Sequence, residues 1–71
     1  MALGFVIVKL DEVTGDPAEY WDGSAFVADI DTADFIPTKP EARYVQGSTQ
    51  AQDTSVDIVL REAESNIDLV P

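Results

Sequence analysis
The sequence predicts a small α+β domain, an antiparallel or mixed sheet of about three to five strands with one short helix packed on one face. Three observations carry that expectation. GFVIVKL, residues 4–10, is a β-branched and aromatic run of strand length. Asp22-Gly23 separates the apolar runs AEYW and SAFVA, as a hairpin turn would. Thr38-Lys39-Pro40-Glu41 reads as a helix start.

Along the first strand, Phe5, Ile7 and Lys9 alternate with Val6, Val8 and Leu10. Apolar residues on both faces predict a central strand covered on each side. DEVTGDP, 11–17, is a loop by its Gly, Pro and acids. Asp22-Gly23 suits a two-residue type I′ turn, because glycine accepts positive φ at little cost. Asp29 or Asp31 is placed to cap a short helical turn over Thr32–Phe35, which Ile36-Pro37 would end.

In the helix start, the Thr38 hydroxyl and Glu41 carboxylate would satisfy first-turn amides reciprocally, with Pro40 tolerated there. Ala42 and Val45, with Tyr44 at its edge, form a narrow apolar stripe. Gly47 follows Gln46 and suits the left-handed residue that stops a helix. GSTQAQDTS, 47–55, then reads as a loop. VDIVLREAE, 56–64, fits both a strand alternation and a helix stripe, and its β-branched start predicts a strand over 56–61. NIDLVP, 66–71, reads as a short extra strand or a docking tail. The order is β-β-β-α-β in one domain over 1–71.

Composition narrows the function. Fourteen acids against four bases give a formal charge of −10 and a pI near 4.1. Nucleic acid would be repelled, since binding it depends on Lys and Arg displacing counterions. Anionic membranes are disfavoured for the same reason, and no apolar run reaches the roughly 20 residues of a membrane helix. A cytoplasmic location is expected, the host cytoplasm for a phage-encoded chain. A cationic protein surface would attract this chain.

With no His and no Cys, the usual general base, thiolate nucleophile and common transition-metal ligands are missing. No glycine-rich phosphate loop occurs, so neither an enzyme nor a cofactor is expected. Asp29-x-Asp31-x-x-Asp34 invites a calcium reading. An EF-hand loop counted from Asp29 needs Gly at its sixth place and Glu at its twelfth, where Asp34 and Pro40 stand. The motif fails, and no metal is expected.

The acids themselves are the functional clue. Between Lys9 and Lys39 lie Asp11, Glu12, Asp16, Glu19, Asp22, Asp29, Asp31 and Asp34, with no base among them. Displayed together, they would form one negative surface. Tyr20 and Trp21 are adjacent and point to opposite faces, so one would cover the core while the other, more exposed, anchors a partner. The plainer account is a solvated face, or adaptation to high salt.

Tyr20-Trp21-x-Gly23, Phe26, Asp31-x-Ala33-x-Phe35 and Thr38-x-x-Glu41-Ala42, between two strands, together resemble small uncharacterised phage and bacterial proteins. The likeness covers roughly residues 4–60 and implies a ββαβ-type fold without activity. Those proteins are expected to carry more lysine, so the excess acid here is a departure.

Two functional expectations follow. In the first, the chain docks on a basic surface of a nucleic-acid-handling protein as a stoichiometric inhibitor or modulator. Phage anti-CRISPR and DNA-mimic proteins are the analogy, drawn from size and charge. Asp11 to Asp34 would compete for groups that hold phosphate, and Tyr20 or Trp21 would supply the desolvated anchor. In the second, the chain is a structural subunit that self-associates, as a homodimer or larger assembly, through an edge strand, GFVIVKL or NIDLVP. Its charge then only maintains solubility.

Overall fold
A computed structural model describes residues 3–64. The expected α+β fold is present: one antiparallel four-stranded sheet and one helix. Strands β1 (Leu3–Leu10), β2 (Pro17–Trp21) and β3 (Phe26–Val27) are followed by helix α1 (Lys39–Gln52) and strand β4 (Ile58–Glu64). Their spatial order is β3-β2-β1-β4. NIDLVP lies outside the described residues.

β1 is central because both its faces are apolar and both become buried. Val6, Ile7 and Val8 have no exposed surface. On one face Val6 and Val8 pack with Ala33 and Ala63, flanked by Leu10, Tyr20 and Val59. On the other, Ile7 packs with Ile36, Ala42 of α1 and Ile58 of β4. Burying each such side chain contributes about 1.5–3 kcal/mol. A central β1 overturns the expectation that GFVIVKL offers a free edge for self-association.

The hairpin is confirmed, but its turn is longer than two residues. Trp21 pairs with Phe26, so residues 22–25 form the loop. Asp22 closes it: its Oδ1 accepts from the amides of Ser24 (2.8 Å) and Ala25 (2.7 Å). Gly23 there has φ 104°. The next turn is a 3₁₀ helix at Ile30–Thr32, two residues earlier than expected. Asp29 is its cap, accepting from the Asp31 amide at 2.9 Å. Phe35-Ile36 is therefore extended. Ile36 exchanges two backbone hydrogen bonds with Phe5, at 2.7 and 2.8 Å, and so continues the sheet where β2 has ended.

Two features of α1 depart from expectation. Thr38 is the N-cap, but its hydroxyl makes no capping bond, so no capping box forms. One of the two amides it would normally serve belongs to Pro40, which has none. The helix also continues through Gly47 to Gln52. Gly47 is not left-handed; among the described glycines only Gly15 and Gly23 have positive φ.

What holds the extra turns is polar. Gln46 Nε2 donates to the Ile58 carbonyl (2.6 Å), and Gln50 Oε1 accepts from the Ile58 amide (2.9 Å). Gln50 Nε2 also donates to the carbonyls of Asp53 and Val56. One side chain thus shapes the connection into β4, which begins at Ile58 rather than Val56. Gln50→Ala leaves the buried Ile58 amide without its acceptor, and about 1–3 kcal/mol of stability should be lost. Chemical denaturation measures this; an unchanged midpoint would show that the amide finds water instead.

Candidate functional site
The ten residues singled out by sequence do not form one surface. The strand β2 separates them into two groups. Asp16 precedes β2 and Asp22 follows it, so the groups stand about 15–20 Å apart.

At one end is the β1–β2 loop with Asp11, Glu12 and Asp16, all exposed. Asp11 Oδ1 accepts from the amides of Val13 (2.8 Å) and Thr14 (3.0 Å), and the Asp11 amide donates to the Asp16 carbonyl (2.8 Å). Gly15, at φ 75°, completes this closed turn. Two acids the sequence reading left out join here. The Leu10 amide donates to the Asp57 carbonyl at 2.9 Å, which carries the β1–β4 pairing past Lys9 and brings Asp57 beside this loop. Asp11, Glu12 and Asp57 line an open hollow of about 280 Å³, with Leu10, Gly15 and Ser55 among its walls. Asp53 stands nearby, accepting from the Ser55 hydroxyl at 2.6 Å. In sequence Asp53 and Asp57 lie more than forty residues from Asp11, so only strand pairing reveals them.

At the other end is the hairpin turn with Asp22, and beyond it Asp29, Asp31 and Asp34. The Asp34 amide donates to the Trp21 carbonyl (2.8 Å), and a methyl placed on Gly23 would lie 3.9 Å from an Asp34 carboxylate oxygen. Asp22 and Asp34 are therefore neighbours. Glu19, between the groups, is neutralised in part by Lys9, whose Nζ lies 3.8 Å from Glu19 and 3.6 Å from Asp53. Lys9 also sits 4.5 Å from the centre of the Phe26 ring.

Tyr20 and Trp21 do point to opposite faces, but neither ring is free. Both are half-buried, Tyr20 beside Val6 and Val8, Trp21 edge-on to Phe26 at 5.2 Å. The ring expected to stand more open thus also packs on the sheet, Tyr20 on one face and Trp21 on the other. Among the described residues the large apolar side chains left most open are Val13, Tyr44 and Leu3. Val13 belongs to the acidic loop itself.

Several carboxylates are held in their charged form. Asp11 has its pKa lowered, chiefly by the Thr14 amide and then by Val13. Asp22 is lowered by the amides of Ala25 and Ser24. Asp53 is lowered by the Ser55 hydroxyl and amide, with help from Lys9. A depressed folded pKa contributes stability that is complete above the unfolded value, about 3.9, and is lost as pH falls through the folded one. The chain should therefore lose stability more steeply below about pH 4 than a D11N/D22N/D53N variant. Thermal melts across an acid series test this, and parallel curves would contradict it.

No helix among the described residues is long and apolar enough to cross a membrane. Among the same residues no three acids stand close enough together to hold a metal ion. The chain matches no protein-family model, no curated protein and no solved structure.

Proposed function
We propose that this chain is a small acidic protein-binding module. It docks on a basic surface of a nucleic-acid-handling protein and acts there as a stoichiometric inhibitor or modulator, in the manner of phage-encoded anti-CRISPR and DNA-mimic proteins. The observation that carries the reading is the loop end, where Asp11, Glu12, Asp16, Asp53 and Asp57 gather from two distant stretches of chain. Backbone amides hold the Asp11 carboxylate in a fixed place and in its charged form. A carboxylate so fixed loses little entropy on meeting Arg and Lys groups that normally grip phosphate, and the gathered charge speeds encounter. Val13, at 87% exposure beside them, supplies apolar area that would be desolvated on docking. Exposed ion pairs alone contribute little, so that area matters.

The test is capture from a candidate host, eluted with a salt gradient and identified by mass spectrometry. A basic nucleic-acid-binding protein should be retained, elute at moderate salt and be displaced by duplex DNA. The D11N/E12Q/D16N/D57N variant keeps the Asp11 acceptor geometry through the asparagine carbonyl, and it should lose the retained protein. Retention indifferent to salt and to that variant would refute the mechanism.

A further inference from the structure
A sheet of order β3-β2-β1-β4 leaves β4 at one margin of the described residues. In an antiparallel pair, alternate residues turn their backbone groups toward the partner strand and away from it. Two observations fix which do which. The Leu10 amide bonds the Asp57 carbonyl, so Asp57, Val59, Arg61 and Ala63 face β1. Phe5, opposite Glu62, spends its amide and carbonyl on Ile36, on the far side from β4. Ile58, Leu60 and Glu62 therefore turn their amides and carbonyls outward.

The helix covers only the first of these. Both backbone groups of Ile58 are taken by Gln46 and Gln50. At Leu60 and Glu62 no described residue supplies a backbone partner. We infer that the outer edge of β4 at Leu60–Glu62 is a docking strand for an extended, basic segment of another protein. An added antiparallel strand would place a residue opposite Leu60 and others opposite Glu62 and Glu64, all on one face. The matching pattern is basic-x-basic-x-apolar. Gln46 and Gln50 block the Ile58 position and so set where the added strand stops.

A second copy of the chain fits poorly. Two-fold pairing about Arg61 opposes two arginines, and pairing about Glu62 opposes two glutamates. Pairing about Leu60 sets Glu62 against Ile58, whose backbone groups are already used. Each copy also carries a formal charge of −10. The inference takes from the proposed function only that the partner is basic.

Hydrogen exchange on the full isotope-labelled chain tests it, with the capped peptide Lys-Thr-Lys-Thr-Val-Thr as probe. The same peptide N-methylated on its second lysine and its valine is the control. The first peptide should slow exchange at the Leu60 and Glu62 amides about tenfold or more and leave Ile58 unchanged, with the control binding about tenfold weaker. Protection of Leu60 and Glu62 in the dilute free chain would overturn the inference, as would protection that grows with chain concentration alone. Absence of binding at millimolar peptide would do the same. Equal binding of both peptides, lost at high salt and in the D11N/E12Q/D16N/D57N variant, would reject the edge and leave the loop-end reading standing. Edge binding that survives in that variant would separate the two the other way.

Discussion

Ile7→Ala is expected to unfold a large fraction of the molecules at room temperature. Ile7 has no exposed surface and lies on the central strand between the helix and β4, against Ile36, Ala42 and Ile58. Removing its outer carbons sacrifices transfer energy and leaves a cavity that a pleated strand held on both sides cannot collapse. Such truncations cost about 2–5 kcal/mol. A domain this small has roughly 3–5 kcal/mol to lose, since it buries only about 60% of its unfolded surface. Urea denaturation followed by circular dichroism should show a shortened or missing folded baseline. Ile7→Val should cost about 0.5–1.5 kcal/mol and keep the baseline. A wild-type midpoint in the alanine variant would mean that the core is looser than described.

Gly4→Ala should be nearly as severe, for the opposite reason. Gly4 sits on β1 where Phe35-Ile36 crosses close to the strand. A methyl there would run into the Phe35 ring and come within 2.7 Å of the Ile36 carbonyl oxygen. The ring can turn, but that carbonyl is bonded to the Phe5 amide and cannot withdraw without opening the sheet. Overpacking of this kind costs about 1–3 kcal/mol. The double variant G4A/F35L should recover the part due to the ring and none of the part due to the backbone. A double-mutant cycle by denaturant melts separates the two. Full recovery would show that the strand, not the ring, adjusts freely.

Legibility in the sequence followed the kind of force at work in each element. Burial drives β1, and its alternation of Phe5 and Ile7 against Val6 and Val8 identified a strand with two covered faces. Local hydrogen bonding drives the turns at Asp22-Gly23 and Asp29, so they were found as well, though their lengths shifted by a residue or two. The helix was read too short because its apolar stripe ends at Val45. Beyond it the inward positions are Gln46, Thr49 and Gln50. Thr49 is buried, and the two glutamines are half-buried, bonded to the start of β4. Polar residues that face inward to satisfy a neighbour's backbone give no hydrophobic period, so the last helical turns had no local signal, whereas β4 showed in its β-branched start and only its bounds moved, to Ile58–Glu64.

The candidate surface divided in the same way. Its charge, and the absence of the side chains that chemistry at neutral pH most often uses, were set by composition, because both are sums over residues that folding does not alter. Which carboxylates meet is a matter of strand pairing between residues far apart in the chain. It placed Asp57 beside Asp11 and Glu12, kept Asp22 and Asp34 a strand length away, and put Lys9 between Glu19 and Asp53. Amount of charge is additive and local; its arrangement depends on distances that only the folded backbone defines.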